Sequence, residues 1–155
     1  MEIESSILIF ERAFDIDALS SFSCGVRELD QLIHKKSDGL LDFIRNNPCE
    51  AYIVYNNGSP VAVYVYSAGL FETEDGTYDA TEIDFIAVRK EYRNLGIGRR
   101  ILDIISLHSK QNDRFFLTVG SFTGKKYSAS GFYLKCGFEI IGDKQGNIIP
   151  MFKEL

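Results

Sequence analysis

A strand that leads through a glycine-containing turn into an amphipathic helix constrains this chain more than any other sequence feature. Ile83–Val88 is strongly apolar, and the stretch from about Gly98 to Lys110 has helical spacing, with apolar residues at Ile101, Leu102, Ile104, Ile105 and Leu107. The turn between them contains Arg93, Gly96 and Gly98. Glycines allow a ligand to approach the backbone closely, and the first turn of a helix presents unpaired N–H groups at the positive end of its dipole. The segment therefore predicts a site for a pyrophosphate group.

Two other phosphate-binding motifs do not fit this turn. The Walker pattern GxxxxGKS or GxxxxGKT is absent, and the dinucleotide pattern GxGxxG needs a third glycine that does not follow Gly98. Arg93, Arg99 and Arg100 add positive charge suited to phosphate. On spacing alone, a strand–turn–helix whose glycines serve only packing remains an alternative.

The first half of the chain adds strands and helices around this motif. Ile7–Phe10 is a short apolar run that predicts a first strand, and Val26–Ile44 has helical spacing that is interrupted near Asp38-Gly39. We therefore expect two helices or one broken helix there. Two β-rich runs, Ala51–Tyr55 and Val61–Ser67, are separated by Asn-Gly-Ser-Pro, which predicts an antiparallel hairpin.

The second half continues the same mixed pattern. Phe71–Asp79 is acidic and contains a glycine, so it is predicted to be a solvated loop, with a substrate-facing role left open. Phe115–Val119 is predicted to be a strand, Lys126–Cys136 a helix that Gly137 ends, and the remaining apolar runs two closing strands, Phe138–Ile141 and Ile148–Phe152. The pattern predicts a mixed α/β fold with a largely antiparallel sheet.

Length and charge exclude several classes of protein. The 155 residues suit one domain, and the net charge of −5 disfavours a general nucleic-acid binder, which is usually basic. No apolar run approaches the roughly 20 residues that span a bilayer. The amino-terminal MEIESSILIF is acidic with a short apolar run, unlike a signal peptide. These features predict a cytoplasmic protein without a membrane partner.

The cysteines and histidines do not predict a metal site. Cys24, Cys49 and Cys136 are widely spaced and odd in number, no CxxC pair occurs, and His34 and His108 are far apart. A disulfide framework is therefore not expected, and the cysteines are interpreted as buried or half-buried thiols in a reducing compartment. Cys136, one residue before Gly137, is interpreted as structural.

Two motifs resemble those of the GNAT superfamily of N-acetyltransferases. Arg93-Asn-Leu-Gly-Ile-Gly98 resembles the signature Arg/Gln-x-x-Gly-x-Gly/Ala, and Ala129–Phe138 resembles the family's AxxFYxxxGF segment, in the expected order and separation. Ile86-Ala-Val88 and Glu91-Tyr92 also match the strand and turn that precede the signature. The resemblance covers essentially the whole chain. It implies one domain, residues 1–155, with a mostly antiparallel twisted sheet, splayed fourth and fifth strands and about four flanking helices.

The resemblance also implies acetyl-CoA as co-substrate and no metal. The backbone of Ile86, Ala87 and Val88 would pair with the pantetheine arm, as an added strand does. Lys126 departs from the family, because many relatives have an asparagine there that contacts the pantetheine; Lys125 or Lys126 would instead meet a phosphate or face solvent. The residues implied in holding the pyrophosphate are those of the turn and the start of the helix: Arg93, Asn94, Leu95, Gly96, Ile97, Gly98 and Arg99.

Three side chains are candidates for the chemistry. Tyr133 matches a tyrosine that relatives often place near the coenzyme sulfur, where its hydroxyl would protonate the leaving thiolate; packing in the core is the alternative. Glu82, eleven residues before Arg93, matches a base glutamate of some relatives. Asp84 lies on the same strand face by alternation and competes for that role. The alternative for both carboxylates is a place at the solvated mouth of the cleft.

The acceptor is weakly specified by the sequence. The resemblance implies direct transfer in a ternary complex to a primary amine, and the net charge of −5 ranks a small-molecule or protein amine first. Phe22–Asp30 resembles a segment of the toxin subgroup that acetylates aminoacyl-tRNA, which keeps a tRNA acceptor as the second reading. A catalytically inactive coenzyme-binding module with a regulatory role is the third. Family members often dimerise, so a homodimer also remains open.

Overall fold

The protein is described here by a computed structural model of residues 7–155, which divide into two compact units. The first unit holds the described residues up to Tyr66 together with Phe85–Ile101, and the second holds Ser67–Asp84 together with Leu102–Leu155. Residues 1–6, on which the signal-peptide argument partly rests, lie outside the described residues.

Seven strands and four α-helices are present in the described residues. The strands are β1 (Leu8–Ala13), β2 (Glu50–Asn56), β3 (Ser59–Thr73), β4 (Gly76–Val88), β5 (Phe116–Phe122), β6 (Glu139–Ile140) and β7 (Ile148–Glu154). The helices are α1 (Arg27–His34), α2 (Leu40–Asn46), α3 (Ile97–Gln111) and α4 (Ser130–Lys135), with 3₁₀ turns at Asp17–Leu19 and Lys90–Tyr92. The sheet order is β1-β2-β3-β4-β5-β7-β6. The β4–β5 pair is parallel, and the β1–β2, β2–β3, β5–β7 and β6–β7 pairs are antiparallel. The predicted mixed α/β fold with a mostly antiparallel sheet is confirmed.

The first unit is built on the β2–β3 hairpin. Asn57 and Gly58 both adopt left-handed conformations, with φ of 51° and 82°, which matches a tight two-residue hairpin turn. Val61–Tyr66 is completely buried, so this part of β3 is covered on both faces. The rings of Tyr52, Tyr64 and Tyr66 stack along the hairpin, with Tyr52 and Tyr64 centroids 5.1 Å apart. The predicted hairpin and the break between α1 and α2 are both confirmed.

The second unit is built on β4, β5 and β7. The parallel β4–β5 ladder runs from Ala80 opposite Phe116 to Ile83 opposite Val119, and β7 pairs antiparallel with β5 along its length. The expected separation of the fourth and fifth strands beyond this ladder stays a prediction. No helix among the described residues is long and apolar enough to cross a membrane.

The predicted loop at 71–79 is wrong, because β3 and β4 extend into it as a hairpin with a turn at 74–75. Phe71 is buried and packs on Phe116 and Phe152 with centroid distances of 5.0 and 4.7 Å, and Tyr78 also packs on Phe116. These aromatic contacts hold the strands while the acidic residues between them face solvent. The Thr73 hydroxyl tightens the turn by accepting from the Asp75 N–H.

The predicted helix Lys126–Cys136 begins later than expected. Residues before α4 form a short loop in which the Ala129 N–H donates to the Phe122 carbonyl and the Gly124 N–H donates to the Tyr127 carbonyl. Because these N–H groups bond to carbonyls of the loop and of β5, the residues before Ser130 do not join the helix. At the other end Gly137, with φ of 93°, terminates α4 as predicted. The Phe138 N–H then donates a hydrogen bond to the Tyr133 carbonyl.

Candidate active site

The turn that precedes α3 has the backbone conformation of an anion-binding site. After the 3₁₀ turn at Lys90–Tyr92, Asn94 and Gly96 adopt left-handed conformations with φ of 64° and 84°. Helix α3 then begins at Ile97, and the Arg100 N–H donates to the Gly96 carbonyl at 3.1 Å. Left-handed residues within a turn direct successive N–H groups to one side, and the N–H groups of the first helical turn have no acceptor within the helix.

Gly96 marks the open side of this turn. A Cβ built on Gly96 meets no atom within 4 Å, so the space beside its backbone is free among the described residues. Its left-handed φ is the reason for glycine at this position. The N–H groups here and the positive end of the α3 dipole together suit a diphosphate.

The β2–β3 hairpin holds this turn from one side. The Arg89 N–H donates to the Val61 carbonyl at 2.8 Å, and the Arg89 Nε donates to the Pro60 carbonyl at 3.0 Å. The Asn56 Nδ2 donates to the Tyr92 hydroxyl at 3.1 Å. The turn is therefore positioned by hydrogen bonds to the carbonyls and side chains of a rigid hairpin.

The predicted cationic side chains have protein partners as well as charge. The Arg93 guanidinium donates to the Cys24 carbonyl, a contact across 69 residues of sequence that the motif analysis missed. The Arg100 guanidinium lies over the Phe10 ring, 5.4 Å from its centroid. Arg99 and Lys126 are exposed. The side chains of Arg93 and Arg100 are thus engaged with protein groups, whereas the N–H groups at the start of α3 have no acceptor within the helix.

Tyr133 lies on α4 in the second unit and is 5% exposed. Its ring makes edge-to-face contacts with Phe132 and Phe138, each with a centroid distance of 5.2 Å. Burial raises the pKa of Tyr133, and the nearby Tyr127 and Cys136 raise it further. Its hydroxyl is therefore protonated at neutral pH, as a proton donor must be, although these contacts also serve packing.

Glu82 and Asp84 lie on one face of β4, as the alternation predicts. Glu82 is exposed and Asp84 is half-buried. A Cβ built on Gly69 would lie 3.4 Å from the Glu82 Cβ, so this glycine faces the side of the strand that carries the two carboxylates. Burial raises the pKa of Asp84 to about 6 despite a hydrogen bond from the Ser67 side chain, and the Glu82 carboxylate raises it as well. The Oδ2 atom of Asp84 is buried without a hydrogen-bond partner in the described residues.

A groove of about 470 Å³ in the second unit borders Glu82. Its lining is mostly apolar with two carboxylates, Glu72 and Glu82. Among the lining residues, the sequence predicts a catalytic role for Glu82 alone. Glu72 belongs to the segment for which only a substrate-facing role is left open, and the closing strands carry no chemical motif. The remaining lining residues are Leu70, Phe71, Thr118, Val119, Gly120, Ile141, Pro150 and Met151.

The candidate residues divide between the two units. Those from Ile86 to Arg99 belong to the first unit, whereas Glu82, Asp84, Lys126 and Tyr133 belong to the second. No group of three or more His, Cys, Asp or Glu side chains in residues 7–155 is arranged to hold a metal ion. Burial raises the pKa of the Cys24 thiol to about 11, so it stays protonated and unreactive at neutral pH.

Comparison with known proteins identifies the family. The model of the acetyltransferase (GNAT) domain matches residues 47–140, which include the turn, α3 and α4. A search of curated proteins by sequence found no match.

Solved structures share the fold at low sequence identity. A tyrosine-to-phenylalanine mutant of the toxin AtaT, bound to acetyl-CoA and to the C-terminus of the antitoxin AtaR, has a TM-score of 0.71 and 20% identity, covering 95% of this chain and 92% of that chain. AtaT complexed with acetyl-methionyl-tRNA has a TM-score of 0.67 and 19% identity, covering 93% and 94%. An IAA acetyltransferase from Bacillus cereus has a TM-score of 0.64 and 22% identity, covering 96% and 100%. Because the family model spans more than half of the sequence, the chain belongs to the GNAT family of acetyltransferases.

Proposed function

We propose that this acetyltransferase moves the acetyl group of acetyl-CoA directly to a primary amine that binds at the groove of the second unit. Membership of the family makes the protein an N-acetyltransferase with acetyl-CoA as co-substrate. The observation that carries the proposal is the turn at Asn94–Gly96, whose left-handed residues lead into the N-terminus of α3. Treating residues 1–155 as one domain is part of the same proposal.

The donor is held by backbone in this proposal. The N–H groups of Asn94–Arg99 bind the pyrophosphate, and the strand segment Ile86–Val88 offers its N–H and C=O groups to the pantetheine arm. Ala87 is buried, whereas Ile86 and Val88 on either side of it are half-buried. This alternation is expected at the end of a strand of which one face remains accessible. Lys126 is exposed and supplies positive charge.

A carboxylate of β4 accepts the proton from the acceptor. An ammonium group must lose a proton before its nitrogen attacks the thioester carbonyl. Asp84 has a pKa of about 6, so it is ionised at neutral pH and is a stronger base than an ordinary aspartate. Glu82 is exposed at the groove and stays the second candidate, acting directly or through water.

Tyr133 completes the transfer in this mechanism. The new C–N bond forms as the nitrogen attacks, the C–S bond breaks, and the leaving thiolate takes the proton of the Tyr133 hydroxyl. The nitrogen, which still carries one proton more than the amide product, returns that proton to the Tyr133 phenolate. The support for this role is the match to the family motif and a hydroxyl that stays protonated at neutral pH. Cys136, also buried, remains interpreted as structural.

The groove favours an amine carried by an apolar body. Its carboxylates attract an ammonium group, and Leu70, Ile141 and Met151 offer apolar surface. A polyanionic acceptor would be repelled by Glu72 and Glu82 unless cations elsewhere on its path compensated. We therefore rank a small-molecule or protein amine first, as does the net charge of −5.

Aminoacyl-tRNA is the second candidate acceptor. It is supported by the structural likeness to AtaT, which has been solved with acetyl-methionyl-tRNA, and by the resemblance of Phe22–Asp30 to the toxin subgroup. An antitoxin-like protein partner belongs to the same reading, since AtaT has been solved with part of AtaR. A homodimer and an inactive coenzyme-binding module stay the remaining alternatives.

One assay separates these readings. Purified protein is mixed with acetyl-CoA and a panel of small amines, amine-bearing peptides and aminoacyl-tRNAs, and free thiol release and acetylated product are measured. Transfer to an apolar amine supports the first candidate, and transfer to aminoacyl-tRNA alone supports the second. Saturable coenzyme binding without transfer to any acceptor would instead favour the regulatory module.

A further inference from the structure

A chain of hydrogen bonds in the first unit connects α1 to the coenzyme turn. The Asp30 Oδ1 accepts from the Cys24 N–H at 2.8 Å, and the Asp30 Oδ2 accepts from the Ser23 hydroxyl at 2.7 Å. The carbonyl of the same residue, Cys24, accepts from the Arg93 guanidinium. The backbone of Cys24 therefore bonds to the Asp30 carboxylate through its N–H and to the Arg93 guanidinium through its carbonyl.

Gly25 lets this segment lie close to the turn. It has φ of 78°, and a Cβ at this position would lie 3.2 Å from the Lys90 Cδ and 3.5 Å from the Arg93 Nη2. The Gly25 N–H donates to the Ser23 hydroxyl at 3.2 Å, which closes the bend around the Asp30 carboxylate. Any side chain here would strain the backbone and crowd Lys90.

The bend is fixed at its other end as well. The His34 Nε2 lies 2.7 Å from the Phe22 carbonyl, which ties the last residue of α1 to the first residue of the bend. Phe22 is buried, and the Arg89 guanidinium lies over its ring, 5.5 Å from the centroid. The bend at 22–30 thus contacts the coenzyme turn through Arg89, Lys90 and Arg93.

We propose that Asp30 is a positioning residue for coenzyme binding, which acts through the Cys24 residue to hold Arg93 and so orients the N–H groups of Asn94–Gly98. The proposal rests on the proposed coenzyme site at this turn. Both hydrogen bonds at Cys24 are charge-assisted, and together they fix the two peptide groups on either side of its Cα. Losing the carboxylate charge loosens the carbonyl that Arg93 binds.

The charge state of Asp30 fits this role. Burial alone would raise the pKa of Asp30, but hydrogen bonds from the Cys24 N–H and the Ser23 hydroxyl outweigh it and lower the pKa. The carboxylate is therefore ionised at neutral pH, when the guanidinium at the other end of the chain is also charged.

The test compares coenzyme affinity with folding stability. In Asp30→Asn the dissociation constant for coenzyme A, measured calorimetrically, is expected to rise about tenfold, and the KM for acetyl-CoA to rise with it, while kcat stays within about twofold. Glu28→Gln, an exposed change of the same charge on the same helix, should leave both constants unaltered. In Asp30→Glu, which restores the charge, affinity should return in part.

A double-mutant cycle excludes a merely structural role. If Asp30 acts through Arg93, Asp30→Asn combined with Arg93→Gln should weaken coenzyme binding little more than Arg93→Gln alone. An additive cycle, or a lower Tm for Asp30→Asn with unchanged coenzyme affinity, would overturn the proposal. If Asp30→Asn does not fold, Ser23→Ala keeps the carboxylate but removes the hydroxyl that donates to Asp30 and accepts from the Gly25 N–H, and it should raise the dissociation constant about twofold; no rise would overturn the proposal equally.

Failure of the proposed function has a different signature. Wild-type protein that binds no coenzyme A would refute the coenzyme site and this inference together. Wild-type binding with an unaffected Asp30→Asn variant would refute the inference alone.

Discussion

The Ser67 side chain donates a hydrogen bond to the carboxylate of Asp84, while the Oδ2 atom of that carboxylate is buried without a partner among the described residues. One oxygen is thus hydrogen-bonded, whereas burial of the other without a donor disfavours the charged carboxylate. Burial raises the pKa of Asp84 to about 6, close to the pH at which a general base is most useful.

The rate of acetyl transfer should fall in acid. Below its pKa of about 6 Asp84 is protonated and accepts no proton, so kcat/KM for the amine should fall as pH drops through this value. Asp84→Asn should lower kcat about a hundredfold and flatten this limb of the pH–rate profile. The matched control is Asp79→Asn, an exposed carboxylate of the same strand. If Asp84→Asn keeps the acid limb and Glu82→Gln removes it, Glu82 is the base.

Asp84 should also make folding stability depend on pH. The folded chain holds the Asp84 proton up to pH about 6, whereas the unfolded value is 3.8, so this group contributes stability in acid that is lost as pH rises between these values. Asp84→Asn should therefore raise Tm relative to wild type at pH 7.5 and much less at pH 4. Denaturation scans at both pH values measure this difference, and an equal effect at both would contradict it.

Replacing Tyr133 should separate chemistry from coenzyme binding. Tyr133→Phe keeps the ring contacts with Phe132 and Phe138 but removes the proton donor, so kcat should fall about a hundredfold with an unchanged dissociation constant for coenzyme A. Tyr127→Phe, the same change at a half-buried neighbour, is the control. An unaltered kcat would limit Tyr133 to packing.

Gly96 has a close conformational match elsewhere in the first unit. Gly58 has φ of 82° against 84° at Gly96, and a Cβ built on either glycine meets no atom of residues 7–155 within 4 Å. Gly96→Ala and Gly58→Ala should each cost about 1 kcal/mol of stability, since both strain the backbone alike. Only Gly96→Ala should weaken coenzyme A binding, by about tenfold or more, because its Cβ enters the space for the diphosphate. If titration calorimetry gave the two variants equal affinities for coenzyme A, the turn at Gly96 would not be part of the coenzyme site.

The turn and its helix were predictable from sequence because their signals are local. The apolar strand, the glycines near Gly96 and the helical period of α3 lie within about thirty residues, and the predicted helix differs from Ile97–Gln111 by only a residue at either end. Gly137 could be predicted to end α4 for the same reason.

The extended β3–β4 hairpin was not predictable in this way. Acidic residues around Glu74 favour a loop locally, and the aromatic contacts of Phe71 with Phe116 and Phe152 that override this preference join residues far apart in sequence. The Arg93–Cys24 contact and the groove lining were missed because both depend on such long-range pairing.

The stacked tyrosines of the β2–β3 hairpin give the first unit its own optical probe. The chain has no tryptophan, so its eight tyrosines dominate its near-ultraviolet absorption. Burial raises the pKa of both Tyr64 and Tyr66, so these phenols resist ionisation in alkali while the hairpin is intact. Tyr133 in the second unit is buried in the same way, so the titration is made on the Tyr133→Phe variant. A late, cooperative appearance of phenolate absorbance in that variant would record the opening of this hairpin without any attached label.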